Sequence, residues 1–363
     1  MTTTNLPDPF DPKPNLADPF ETDSDDGLAW IDRPERSEDR VPRDKNRNPR
    51  ILPVGMEMPN SASARNKVLR SYQRPSGYAE VIENHYNLDR WRERMIAAGL
   101  MQERKLQLEL AAIGEFEESR ESKDRVNDIL KRAQLAARAQ DKADEGTGVH
   151  ALTERLDHGL PIKFVPEEFK GNLEDWKRLT QHFRIEGIEV FVVEDKYRIA
   201  GTFDRLIWYH VPCPNCGKYY RIGDLKTGSI DYGGMKMSAQ LAIYAHGQRY
   251  DPATGIRTPL PDVCLCRGVI WHIPSGQPEG SGRVKWINIA QGWNDVVRVA
   301  YEIRELRRRK NWWLDFEPEP DIMSYIEDAT TREEFNQLWK MHQSQWTERH
   351  TEATRARMAK LGI

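Results

Sequence analysis

The chain has 363 residues, 31% charged and 38% hydrophobic, with a formal net charge of -3 and four cysteines. That length suits two or three domains, or one large domain with appendages, and the polar balance predicts a segment that buries little. No apolar run approaches the roughly 18 residues needed to span a bilayer, the N-terminus lacks the basic start and apolar stretch of a signal peptide, and four cysteines are too few for a disulfide scaffold. These features exclude a membrane-spanning or conventionally secreted protein and point to the cytoplasm; the near-neutral charge excludes a polycation but not a local basic surface for nucleic acid.

Residues 1–57 read as a disordered arm. Ten of the 22 prolines fall before residue 60, and from Met1 to Asp32 eight acids face Lys13 alone. The sign then reverses through Arg33, Arg36, Arg40, Arg43, Lys45, Arg47 and Arg50. Within the acidic part, Asn5-Leu-Pro-Asp-Pro-Phe-Asp11 recurs as Asn15-Leu-Ala-Asp-Pro-Phe-Glu21. Such a duplicated acidic-aromatic segment suits a docking peptide for a protein partner as well as it suits drift in a solvated tail.

Residues 58–145 read as helical. Leu88, Trp91, Met95 and Ile96 share a face, and a second helix is predicted from Glu117 to Ala143 on Val126, Ile129, Leu130, Ala133 and Ala137. Between Ile185 and Ile273 the texture changes to β-branched and aromatic runs. Strands are predicted at 188–193, 197–209, 219–227 and 263–273, with a helix from Met235 to Gly247 before the last. After Trp293 the chain returns to helix. Residues 312–363 form a helical C-terminal region, in which Thr331 and Glu334 have capping-box spacing and Phe335, Leu338, Trp339, His342 and Trp346 form a stripe expected to be core.

Four short pieces carry the chemistry: Gly146-Thr-Gly-Val-His150, Gly201-Thr-Phe-Asp204, Asp224-Leu-Lys226 and Gln240-Leu-Ala-Ile-Tyr244. On a strand Asp224 and Lys226 project from one face. An acid and an amine held side by side suit a metal site that also needs positive charge beside a water or phosphate. Asp204, on the preceding strand, reaches the same ion if the two strands form a hairpin. Two carboxylates with further oxygens suit Mg²⁺ or Mn²⁺. His150 adds a nitrogen ligand, and Glu154 one turn on is placed to orient its ring.

In that order the pieces resemble the PD-(D/E)XK nuclease superfamily, and within it the RecB-like branch, over residues 146–273; the flanking helices and Trp-rich end look like phage-encoded RecB-like exonucleases. The resemblance implies an α/β fold: a restriction-endonuclease-like core over 146–311, with a mixed sheet of about four strands flanked by helices, and helical N- and C-terminal additions. It implies that His150, Asp204, Asp224 and the Leu225 carbonyl bind the metal and that Lys226 positions or deprotonates the attacking water. Gln240 and Tyr244 would line the active-site helix, and Glu189 is a further candidate acid for a second metal. The implied activity is a metal-dependent deoxyribonuclease, an exonuclease in recombination, repair or end processing, located in the host cytoplasm if phage-encoded. A structure-specific endonuclease of the same fold and a catalytically idle DNA-binding or adaptor protein are the alternatives.

Cys213-Pro-Asn-Cys216-Gly217 has zinc-knuckle spacing in a turn between two strands. Cys264 and Cys266 alternate on the last predicted strand, and a parallel crossover would bring its start to that turn, so all four are candidates for a structural Zn²⁺. Arg304, Arg307, Arg308, Arg309 and Lys310, followed by Trp312 and Trp313, suit a DNA phosphate track with stacking and equally a solvated helix end. No GxxxxGK[ST] phosphate loop, GxSxG elbow or HExxH helix occurs.

Overall fold

The predicted strands become the centre of a wider sheet. In the computed structural model, which describes residues 34–115, 117–139, 141–313 and 320–363, the chain divides between Arg307 and Arg308 into two compact units. The Asp-Pro-Phe repeats lie outside the described residues. In the first unit the elements run β1 (Arg50–Ile51), α1 (Ala62–Val68), β2 (Arg70–Ser71), α2 (Pro75–Ala79), α3 (Tyr86–Gln102), α4 (Arg104–Ala111), α5 (Arg120–Ala136), α6 (Asp141–Asp157) and α7 (Glu167–Thr180). They continue with β3 (Phe183–Glu194), β4 (Ile199–Tyr209), β5 (Tyr220–Lys226), α8 (Gly234–His246), β6 (Gln248–Tyr250), β7 (Arg257–Pro259), β8 (Arg267–His272), β9 (Arg283–Asn288), α9 (Ile289–Gln291) and α10 (Arg298–Arg308).

The main sheet has seven strands in the order β7-β6-β3-β4-β5-β8-β9, not about four. The four predicted strands are its contiguous middle; β6, β7 and β9 extend the edges. All pairings are antiparallel except β5 with β8, which is parallel and therefore needs a crossover, supplied by the segment containing α8. One face packs on α6 and α7: Val149, Leu152, Phe169 and Trp176 meet Leu225 and Trp271. The other packs on α8, where Leu241 and Tyr244 meet Phe203, Ile222 and Ile270. The result is the mixed α/β architecture, helices on both faces, of a PD-(D/E)XK-like core.

The single helix predicted over 117–143 is two helices. Arg138 takes a left-handed φ of 56° after α5 ends, a conformation that no helix interior accommodates, and α6 begins at Asp141. Gly99 of α3 lies so close to α5 that a Cβ there would sit 1.7 Å from the Ala133 carbonyl oxygen, so only glycine permits that crossing.

Residues 34–57, assigned from composition to the unfolded arm, carry a 3₁₀ turn at Ser37–Arg40 and the strand β1, which pairs with β2. Val41 and Ile51 are buried with Tyr72, Phe191, Val193 and Tyr250. A few well-spaced apolar residues suffice to fasten this charged stretch to the sheet.

The second unit contains α11 (Ile322–Asp328), α12 (Arg332–Met341) and α13 (Glu348–Leu361). Thr331 and Glu334 form the expected capping box. Phe335 is buried with Ile322 and Ile326, and Leu338 and Trp346 pack on them. Trp339 is 45% exposed and leaves the predicted core stripe, because that stripe is wider than the surface α11 and α13 cover.

Candidate active site

The site is built on the β4–β5 pair. Arg205 lies opposite Gly223, so one further step brings Asp204 alongside Asp224. The Leu225 N–H donates to Asp204 Oδ2 at 2.7 Å, and Lys226 Nζ lies 2.5 Å from Asp224 Oδ2. Strand periodicity thus puts the acid and the amine together, as their spacing predicted. Gly223 makes room beneath them: a Cβ there would meet the Trp271 ring at 2.2 Å.

From α6, His150 points its Nδ1 to within 3.5 Å of Asp204 Oδ2. Burial keeps the His150 ring below its ordinary pKa despite the pull of Asp204, so it is held neutral, as a metal-binding imidazole must be. Burial works against charge on Asp204 as well, but His150, Lys226, Arg205 and the Leu225 N–H outweigh it and hold this carboxyl below the usual range. Asp224 goes the other way: burial and the Asp204 charge push it up to about 6, against the attraction of Lys226.

A second layer of charge was only partly readable. Glu189 on β3 has a left-handed φ of 48°, which turns its carboxylate inward beside Asp204; an outward strand residue is excluded, since its side chain is 9% exposed. Burial and Asp204 push its carboxyl up to about 8, even though guanidinium nitrogens of Arg205 and Arg36 stand 3.3 Å and 3.4 Å away. Glu154, expected to orient His150, instead takes a bidentate pair with Arg36, at 3.0 Å and 2.5 Å. Its side chain is fully buried, and the partner comes from the segment assigned to the arm. Arg205 also donates to Asp157 at 2.6 Å. Glu38 accepts from the Thr202 hydroxyl of the Gly201–Asp204 piece, so residues 36–38 lie against the site. Arg205 had a signal in the sequence: a cation within Phe203–Ile207 must be buried, and a buried cation needs acids. Arg36 had none.

The remaining predicted residues fall as follows. Gln240 donates to the Tyr244 hydroxyl at 3.2 Å, and the Tyr244 ring packs on Phe203. All four cysteines converge, although Cys264 and Cys266 are not on a strand; they form the lead-in to β8. Arg304 is not a free DNA-facing cation: it lies over the Tyr78 ring at 5.2 Å and reaches the Gly77 carbonyl. Arg307, Arg308, Arg309 and Lys310 are exposed, and Trp312 and Trp313 are 61% and 83% exposed.

The donor set fits a divalent cation. Glu154, Asp157, Glu189, Asp204 and Asp224 face Arg36, Arg205 and Lys226. Fully ionised, these groups leave two negative charges unbalanced, and the Asp204 charge adds to the burial that raises the Asp224 and Glu189 carboxyls. The oxygens are hard ligands and the imidazole is neutral, the chemistry of Mg²⁺ or Mn²⁺. The acids are not drawn tightly together. Among the described residues only the four cysteines have ligand atoms all within 4.8 Å of one another, because each acid is tied to its own N–H or cation.

Residues 108–256 match the PD-(D/E)XK nuclease superfamily, a stretch that includes His150, Asp204, Asp224, Lys226, Gln240 and Tyr244. No curated protein matches the chain. The superfamily match suggests metal-dependent nuclease activity, of a kind that usually uses Mg²⁺ or Mn²⁺, and a nuclease fold implies DNA as substrate. The cysteine cluster could hold a structural metal such as zinc. Among the described residues no helix is long and apolar enough to cross a membrane.

Proposed function

We propose that the chain is a divalent-metal-dependent deoxyribonuclease of the RecB-like branch that degrades DNA from its ends in recombination or end processing. One observation carries the reading: Asp224 and Lys226 side by side on β5, with Asp204 and His150 converging on them from β4 and α6. His150, Asp204, Asp224 and the Leu225 carbonyl are the residues that hold Mg²⁺ or Mn²⁺, which when bound supplies Lewis-acid charge to the scissile phosphate. Lys226 orients the attacking water through its ammonium and stabilises charge growing on the phosphate oxygens. Asp224, 2.5 Å from Lys226 Nζ, holds that amine in place. Arg36 and Arg205 restrain Glu189, which argues for one metal held mainly by Asp204 and Asp224. Gln240 and Tyr244 support the site from α8.

The test is cleavage of end-labelled linear DNA against a covalently closed circle, with Mg²⁺ or Mn²⁺, by the native chain and Asp224→Ala. Metal-dependent loss of label from the linear substrate alone, absent in the variant, is expected. Cutting of the circle would replace the exonuclease with an endonuclease. DNA binding with no cleavage of any substrate would sink the catalytic reading.

A further inference from the structure

The turn between β4 and β5 and the lead-in to β8 meet at four sulfurs. Cys213, Cys216, Cys264 and Cys266 have Sγ atoms all within 4.8 Å of one another, and Cys216 and Cys264 are 3.5 Å apart. None is in a disulfide. The backbone fixes this arrangement from both sides. Around Cys213 the turn closes by two bonds, Cys213 N–H to the Lys218 carbonyl and Gly217 N–H to the Cys213 carbonyl, with Gly217 at φ 71°. On the other side the parallel pairing is interrupted. Gly223 pairs with Val269, 46 positions ahead, whereas Tyr220 bridges Val263, 43 ahead. Three extra residues are therefore thrown out between Val263 and Val269, and this excursion presents Cys264 and Cys266 to the turn. The N–H groups of Cys266 and Arg267 donate to Cys264 Sγ at 3.4 Å and 3.3 Å. Such N–H···S bonds stabilise a thiolate better than a thiol.

Four thiols gathered this closely, two of them buried, form a soft tetrahedral donor set. Bonds of about 2.3 Å from one ion would place thiolates about 3.8 Å apart, within the observed spread. A cluster whose cysteines each hold a different iron needs a wider set. Hard cations such as those suited to the Asp224 site do not favour thiolates. We propose that Cys213, Cys216, Cys264 and Cys266 bind one zinc ion as a closed tetrathiolate that clasps the β4–β5 turn to the lead-in of β8. Its work is structural: it fixes the start of the parallel β5–β8 pair, whose far end carries Asp224 and Lys226.

The test uses the full chain purified without chelator. Elemental analysis, together with release of metal to a colorimetric chelator during titration with a thiol-specific mercurial, should give about one zinc per chain, freed in step with the cysteines. Replacement by Co²⁺ should give the visible bands of a tetrahedral thiolate site. Cys216→Ser should weaken Zn²⁺ retention by roughly tenfold or more and lower the melting temperature. The native-chain titration decides alone, whether or not Cys216→Ser accumulates folded. Zinc-free folded protein whose four thiols all react freely, and which takes up neither Zn²⁺ nor Co²⁺, would overturn the proposal. So would stoichiometric iron with acid-labile sulfide. Either result leaves the Mg²⁺ cleavage assay untouched, so failure here is distinct from failure of the nuclease reading.

Discussion

At the start of β5 four thiols stand within 4.8 Å of one another, whereas at its end Asp204, Asp224 and Glu189 are held apart, each bonded to an N–H or a cation. The thiol end is set by backbone: a closed turn and a three-residue excursion fix short side chains with one rotatable bond each. The acidic end is set by charge balance among longer side chains from α6, β3, β4, β5 and residue 36. A site of the first kind is complete once its strands pair. One of the second kind keeps room for a cation, water and phosphate, and its members answer to one another's ionisation.

The comparison is sharpened most by Lys226→Ala. Removing the amine should lower cleavage by about 10²–10⁴-fold; it also leaves the buried Asp224 carboxyl without its cation, a loss of stability that Asp224 limits by taking up a proton. Cleavage close to native, measured on end-labelled DNA, would show that the acidic end does not use its amine.

Next in size is Arg36→Gln. It leaves Glu154, whose side chain is fully buried, without its cation, and should cost about 3 kcal/mol in urea unfolding. Adding Glu154→Gln should restore much of that loss, a coupling that a double-mutant cycle measures directly. Additive losses would mean that the two side chains do not act as a pair.

The smallest effect has the opposite sign. Asp224 sits at about 6 in the folded chain against an ordinary 3.8, so the native state binds the extra proton between those values. The Asp224 contribution to metal-free stability is therefore full below about pH 4, falls as pH rises through 4–6, and is gone above, opposite in sign to that of Asp204, whose lowered carboxyl stabilises the fold only above its own titration. Asp224→Asn should remove that slope and raise metal-free stability near pH 8 by on the order of 2 kcal/mol, read from urea midpoints across pH, while abolishing cleavage. A stability profile that does not change with the substitution would contradict the raised carboxyl. Acidification below pH 6 should also weaken metal binding at this end, since the proton competes for Asp224.

The part of the site that was legible lies on single elements. Asp224 and Lys226 share a strand face by period alone, and Asp204 follows once two consecutive strands form a hairpin. His150 follows from a helix just after Gly148. The middle four strands were readable from β-branched runs, but β6 and β7 are three residues each, too short for a periodic signal. Phe169, Leu173, Trp176 and Leu179 carry the helical spacing of α7, set among its many charges. Pairs that join distant segments left no local trace. Nothing near Arg36 points to Glu154, and the inward turn of Glu189 depends on a backbone conformation that its neighbours do not announce. The cysteines were legible as a set although their strand placement was not, because four thiols need only converge.

The Arg36–Glu154 pair joins positions 118 residues apart, and the bond from Thr202 to Glu38 spans 164. Contacts of such separation close late, since the intervening chain must first be ordered. During synthesis, however, the arginine leaves the ribosome long before the acids it neutralises. The growing chain thus carries its own counter-ion ahead of the charges that will need it. A start site moved downstream of Arg36 would yield a chain whose central strands can still pair, but whose acidic wall has lost the cation around which it closes.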